Sequence, residues 1–242
     1  MKKFRNVCAS AALAMLASGT ALAETSASIG IMSDYIFRGL WTSDASAFAS
    51  IDVETDSGAY FGAWSADIQN GLEYDIYAGY AGGTDNISWN VGFTGYYATD
   101  EAFQTAEELN LGFSIGFMSI DYALGDLENP IGAIMLGEEI KQTYQYLGAT
   151  FEPEKGPYYF LGHTDYQNVS SLTGTGSHGY WFEVGKNFEV MDDIEIGVAA
   201  LYALSAQKPG STTPRSVQLS ATNPFAEFAM VVTLTKNIGI GN

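Results

Sequence analysis

Hydrophobic and polar residues alternate along most of the chain after about residue 24. Leu72 and Ile76 alternate with Glu73 and Asp75, for example, and no helical period of 3.6 is present there. The same two-residue period recurs in residues 87–94, 108–115, 194–200 and 226–235. A strict period of two places successive side chains on opposite faces of a β-strand. The pattern therefore predicts an all-β protein.

Counting the alternating segments predicts about twelve strands. Their expected ranges are 26–38, 46–54, 59–69, 72–81, 87–97, 107–117, 119–126, 142–152, 158–167, 180–189, 194–205 and 225–236. From the second strand onward, every other connection is short. Four of the connections between these are longer, at 98–106, 127–141, 168–179 and 206–224, whereas 39–45 is intermediate and 70–71 breaks the trend. Loop length sorted by strand parity is typical of an antiparallel, up-and-down transmembrane β-barrel.

Aromatic residues cluster near both ends of the predicted strands. One set lies near the short turns: Tyr60, Phe61, Tyr80, Phe117, Tyr158, Tyr159 and Phe188. The other lies near the longer loops: Phe37, Trp64, Tyr96, Tyr97, Tyr144, Tyr166, Tyr180 and Trp181. Such rings suit the two membrane–water interfaces, so we interpret them as two aromatic girdles.

The first 23 residues are predicted to be a cleaved signal peptide. Lys2, Lys3 and Arg5 precede an apolar run, and residues 21–23 fit a small-x-small cleavage site. Removing this segment removes Cys8, the only cysteine, and leaves 7 basic and 28 acidic residues, a net charge of −21. The remaining chain, 24–242, is therefore expected to be an exported barrel without disulfides or thiolate chemistry.

Charge and hydropathy narrow the possible partners. The whole chain of 242 residues has a net charge of −18, which disfavours binding to nucleic acid. No stretch of about 18 uncharged apolar residues occurs, so a transmembrane helix is not expected.

Three segments near the predicted N-terminus of the barrel resemble motifs of one known family. They are Ser33-Asp34-Tyr35-Ile36-Phe37-Arg38-Gly39, residues 57–65 (SGAYFGAWS) and residues 73–80 (EYDIYAGY). In this order they resemble the TorF-type porin family of Gram-negative outer membranes. The resemblance implies an outer-membrane barrel with a porin role, and it brings no catalytic or ligand residues. One departure is the C-terminus, which ends in Asn242 where such barrels usually end in an aromatic residue.

The less apolar face of each strand would line the interior of a membrane barrel. This places eleven acids inward, together with the base Arg38: Asp34, Asp52, Glu54, Asp67, Glu73, Asp75, Glu108, Asp121, Glu183, Glu195 and Glu227. Because burying so many like charges is costly, we expect water in the lumen and a potential that favours cations. The alternative is that several of these acids are solvated charges at the rims.

Two features could narrow such a lumen. Arg38 is expected to pair with an inward acid on an adjacent strand, such as Asp52, either as a structural ion pair or as a pair that narrows the outer mouth. The loop at 127–141 contains an apolar run, 130–136, which would fold inward or form a short helix, or would pack as an ordinary loop.

The function predicted from the sequence is passive diffusion of ions or small solutes across the outer membrane. The alternative is a non-conducting barrel with a structural role or a role in binding through its loops. No enzymatic activity, cofactor or metal site is predicted: His163 beside Asp165 and His178 are the only histidines, and no serine motif accompanies them. The basic residues Lys208 and Arg215 would contact anionic lipopolysaccharide.

Overall fold

The structure is a computed structural model that describes residues 24–68, 71–99, 105–129, 140–167, 177–206 and 227–240. The predicted signal peptide, Cys8, the apolar run at 130–136 and the pair Lys208 and Arg215 lie outside these residues. The described residues form twelve β-strands: β1 (Glu24–Phe37), β2 (Leu40–Glu54), β3 (Ala59–Ile68), β4 (Gly71–Gly83), β5 (Ile87–Ala98), β6 (Thr105–Ile115), β7 (Met118–Asn129), β8 (Ile140–Phe151), β9 (Tyr158–Gln167), β10 (Ser177–Met191), β11 (Ile194–Ala206) and β12 (Glu227–Gly239).

The twelve strands close into one antiparallel barrel. Each strand pairs with its neighbours in sequence, and β1 pairs with β12 to complete the ring. The closing register runs from Ser26 opposite Gly239 to Met32 opposite Thr233. Closure supplies partners to backbone groups that an open sheet would leave at its edges. The prediction of an up-and-down barrel of about twelve strands is confirmed.

The two faces of the barrel wall differ as the alternation predicts. On β4, Ile76 is 57% exposed on the exterior, whereas Glu73 and Asp75 are buried in the interior. The exterior carries large apolar side chains on all twelve strands. No helix among the described residues is long and apolar enough to cross a bilayer.

The connection between β1 and β2 is shorter than expected. The sequence predicts a connection over 39–45, but the strands extend to Phe37 and from Leu40, so Arg38 and Gly39 alone form the turn. Both residues have positive φ, 50° and 78°. A two-residue turn with two positive φ angles matches the right-handed twist of a hairpin, which explains why this connection is tight.

The tip of the β1–β2 hairpin leaves the barrel wall. Pairing of β1 with β12 ends at Met32, and pairing of β2 with β3 ends at Phe48, whereas residues 33–47 pair only within the β1–β2 hairpin. A register shift lies between Tyr35 and Ile36, and Ala45 has a positive φ of 47°. Such irregularities bend a strand. We call residues 33–47 the inner hairpin, because its side chains contact strands on several sides of the barrel interior.

Candidate functional site in the barrel interior

The tip of the inner hairpin lies among interior side chains from distant strands. The Phe37 ring packs edge-on against Tyr96 of β5, with ring centroids 5.4 Å apart. The Tyr35 ring lies 5.5 Å from the Trp64 ring of β3. Ile36 packs in a cluster with Trp181 of β10 and Leu201 of β11. Because these strands lie on different sides of the ring, the hairpin fills the interior instead of extending the wall.

Gly39 allows the tip to approach the opposite wall. A Cβ atom at this position would lie 2.8 Å from the Trp181 ring, closer than real Cβ contacts allow. Its φ of +78° also belongs to the left-handed region that favours glycine. Both the turn and the close approach to the Trp181 ring therefore require glycine at this position.

Arg38 forms a buried ion pair with Glu108 of β6. Its Nη2 donates a hydrogen bond of 2.6 Å to Glu108 Oε1, and both side chains are almost fully buried. Three further donors reach the same carboxylate: the hydroxyls of Tyr96 and Tyr144 at 2.6 Å and the amide of Asn110 at 2.7 Å. A buried charge is tolerated when hydrogen bonds and an opposite charge replace water. Glu108 has both.

Aromatic rings enclose the Arg38 guanidinium. Its carbon lies 4.2 Å from the centroid of the Tyr146 ring, 4.9 Å from that of Phe37 and 5.6 Å from that of Tyr144. The faces of such rings attract cations. Arg38 Nε and Nη1 have no hydrogen-bond partner within the described part of the chain. Arg38 is thus held by one carboxylate and three rings.

Two further acids of β4 lie close to the hairpin. The Tyr35 hydroxyl donates to Glu73 Oε1 at 3.2 Å, whereas Glu73 Oε2 and Asp75 Oδ1 have no partner among the described atoms. Arg38 is the one basic side chain that the described residues place in the interior, because Lys155 and Lys186 are exposed and Lys236 pairs with Asp193. The interior therefore holds more carboxylates than bases.

Tyrosine hydroxyls bind other interior carboxylates. Tyr77 donates to Asp52, which also accepts a 3.0 Å hydrogen bond from Ser50. Tyr158 of β9 donates to Glu183 of β10. The expected pair between Arg38 and Asp52 is wrong, because the inward bend of the hairpin carries Arg38 across the barrel to Glu108. Asp52 instead accepts hydrogen bonds from the Tyr77 phenol and the Ser50 hydroxyl.

Most of the predicted interior acids lie on the interior face. They are Asp34, Asp52, Glu54, Glu73, Asp75, Glu108, Asp121, Glu183 and Glu195. Asp67 does not: it is exposed, whereas its neighbours Ala66 and Ile68 are buried and face inward. The prediction for Asp67 is wrong, because the face of β3 that carries Trp64 packs on the hairpin. The side chain of Glu227 lies outside the described residues.

The expectation of water around the acids fails in the middle of the barrel. Glu73, Asp75, Glu108 and Glu183 are only 1–3% exposed. Their neighbours are the hairpin and the phenols, so side chains fill the interior at this level. Asp52 and Glu195, which are nearer the strand ends, are partly exposed, and so is Asp34 of the hairpin.

The prediction of two aromatic girdles is only partly correct. Phe61, Tyr80, Phe117, Tyr159, Tyr180 and Phe188 are exposed on the exterior. Tyr96, Tyr144, Tyr158 and Trp181 are buried in the interior, where they contact the hairpin or carboxylates. The sequence contained a signal for the inward position of Tyr96: it is two residues from Thr94, so both side chains lie on the same, less apolar face of β5.

The structure shows the surroundings of His163, one of the two histidines considered from the sequence. The His163 ring stacks on Tyr180, with centroids 4.2 Å apart, and its Nδ1 lies 3.0 Å from the Gly179 carbonyl oxygen. Within the described ranges, no group of three or more His, Cys, Asp or Glu side chains is arranged to hold a metal ion.

Comparisons with known proteins agree with the fold. A family model described as "Bacterial protein of unknown function (Gcw_chp)" matches residues 16–237. The structure is similar to the KdgM porin, with a TM-score of 0.50 and 7% identity over 90% of this chain and 99% of that one. It is also similar to the NanC porin, with a TM-score of 0.51 and 8% identity over 88% of this chain and 98% of that one.

At such low identities the likeness concerns the fold alone. No curated protein matches the chain significantly. The matching family model does not carry the TorF-type name, so that resemblance stays a prediction.

The buried ion pair yields a stability prediction. Arg38→Met and Glu108→Gln each leave one charged partner buried, so we expect each to lower the free energy of unfolding by about 3–5 kcal/mol. The double variant should lose clearly less than the sum of the two, because neither charge remains unpaired. Urea titrations of the refolded protein, followed by tryptophan fluorescence, measure these differences.

Lys236 and Asp193 provide a matched control. They form an exposed pair 3.8 Å apart, for which Lys236→Met should cost at most about 1 kcal/mol. Additive losses at Arg38 and Glu108 would contradict the coupling.

Proposed function

We propose that this chain, which belongs to the bacterial family Gcw_chp, forms a narrow outer-membrane channel for ions or small solutes. The observation that carries the proposal is a closed barrel with an apolar exterior, an acidic interior and a hairpin folded across that interior. The exported N-terminus predicted from the sequence and the porin-like fold support the same proposal.

The exterior supports a place in a membrane. Large apolar side chains such as Ile76, Phe93, Leu111 and Leu161 are between 43% and 60% exposed on successive parts of the wall. Contiguous apolar surface of this extent is unfavourable in water but matches the hydrocarbon core of a bilayer. A closed barrel also satisfies the backbone hydrogen bonds that a bilayer cannot.

The dimensions and the charges support a narrow, cation-favouring path. Twelve strands lie between the eight that side chains fill and the sixteen or more of wide porins. The inner hairpin narrows this space further. Surplus interior carboxylates would attract cations and repel anions.

A second candidate is a closed barrel with a structural or partner-binding role. It is favoured by the burial of Glu73, Asp75, Glu108 and Glu183. In this case the hairpin is a permanent part of the core, and the barrel does not conduct.

Conductance of the refolded chain in a planar bilayer separates the two functions. Under a salt gradient of potassium chloride, we expect discrete steps and a reversal potential that indicates a preference for potassium. A preference for chloride would contradict the acidic path. Clean insertion with no steps would contradict the channel and favour the closed barrel.

A single methyl group at Gly39 tests the role of the hairpin. Gly39→Ala places a Cβ against the Trp181 ring, so we expect the tip to shift and the mean conductance to rise at least about twofold. Gly116→Ala is the matched control: Gly116 has a φ of +62° in the β6–β7 turn, but a Cβ there would meet nothing within 4 Å. Equal conductance in both variants would show that the hairpin does not constrict the path.

Arginine substitutions on the exterior test the place in the membrane. Ile76→Arg, in the middle of β4, should lower the free energy of unfolding from lipid vesicles by about 2–4 kcal/mol. Met191→Arg, at the end of β10, should cost about 0–1 kcal/mol because that position lies near an interface. Equal, small losses would mean that water surrounds the exterior. Urea titration in vesicles of phosphatidylcholine gives both values.

A further inference from the structure

Among the described residues, the inward bend of the hairpin leaves the first part of β12 without a strand partner on its β1 side. On its β11 side, β12 is paired as far as Glu227, opposite Ala203. On its β1 side, pairing ends at Thr233, opposite Met32. The next backbone amide, that of Val232, is bound by the Ser33 hydroxyl at 3.0 Å. Residues 227–232 therefore form an edge of the barrel wall at which the ladder is open.

A cavity of about 390 Å³ lies at this edge. Asp34, Ile36 and Gly39 of the inner hairpin line one side. The wall contributes Leu201, Ala203 and Ala229 from its interior face, together with Phe228 and Met230. Phe228 and Met230 belong to the exterior and are 67% and 58% exposed. Residues of both the interior face and the exterior face of the wall therefore border the cavity.

About half of the lining of this cavity is polar, and this part comes from the Asp34 carboxylate and from backbone groups, because the other lining side chains are apolar. Asp34 supplies the carboxylate, and Asp44 lies directly opposite Asp34 in the hairpin register. Carboxylates opposite each other on antiparallel strands repel, because their Cβ atoms are about 5 Å apart. A positive charge beside this pair would relieve the repulsion, whereas an anion would add to it.

We propose that the cavity binds a single-chain cationic amphiphile. Its ammonium group lies beside Asp34 and Asp44, and its alkyl chain lies along Ile36, Leu201 and the small side chains of Ala203 and Ala229. It enters from the membrane, past Phe228 and Met230. The volume is within the range of about 300–1,000 Å³ that is usual for small-molecule sites. The site depends on the gap in the wall and not on conduction, so it stands or falls separately from the channel.

Equilibrium binding to proteoliposomes tests the site. The full chain is refolded into phosphatidylcholine vesicles and incubated with radiolabelled dodecylamine or dodecanoate, with protein-free vesicles as the blank. We expect a saturable component of about one dodecylamine per barrel, bound at least about tenfold more tightly than dodecanoate. No saturable component, or equal affinity for the two amphiphiles, would overturn the proposal.

Two pairs of variants locate the binding. Ala203→Phe fills the cavity and should remove the saturable component, whereas Ala78→Phe adds the same ring to the exterior of β4 and should leave it unchanged. The double variant Asp34→Asn/Asp44→Asn should bring the preference for the amine close to equality, and Asp85→Asn in the β4–β5 turn should not. Heat-modifiable migration on a gel shows that each variant is folded. Binding that persists in a folded Ala203→Phe variant would place the amphiphile elsewhere and overturn the assignment.

Discussion

The buried pair of Arg38 and Glu108 determines the arrangement of the barrel interior. A guanidinium and a carboxylate removed from water are favourable only when their hydrogen bonds and charges are satisfied together. Glu108 satisfies this condition with four donors from four different positions, Arg38, Tyr96, Tyr144 and Asn110. Since Arg38 is on a two-residue turn, the whole tip of the hairpin must be inside the barrel for this pair to form.

The position of the hairpin has two structural consequences. The interior is filled at the level of Glu73, Asp75 and Glu108, where hairpin side chains replace the water that twelve strands could otherwise enclose. The wall, in turn, loses the pairing that residues 33–47 would have provided to β3 and β12. One bend thus narrows the axial path and opens the wall beside β12.

The alternating pattern predicts the wall well, because the period of a strand is a local property of the sequence. It gave the number of strands and the exterior face of β4, β5, β6 and β12. The inner hairpin could not be predicted in this way, since residues 33–47 continue as strand and differ from the wall only in their partners. Glu108 is 70 positions from Arg38, and no spacing rule connects them. Apolar character also misled the assignment of Asp67, because Trp64 packs against Tyr35 of the hairpin and Ile68 is buried, so this face of β3 lies inside and not outside.

The same ion pair sets the cost of opening the interior. Withdrawing the hairpin separates Arg38 from Glu108, and separating a buried pair without replacement costs about 3–5 kcal/mol. At that cost, fewer than about one barrel in a hundred is open at equilibrium. In the proposed channel, an entering cation would lower this cost because it would replace the guanidinium beside Glu108, and the nearby carboxylates of Glu73 and Asp75 would add to its attraction. Within the described interior, an anion could pair only with Arg38, and the nearby carboxylates of Glu73 and Asp75 on β4 would repel it. In the proposed channel, the geometry that closes the barrel would therefore also favour opening by cations over opening by anions.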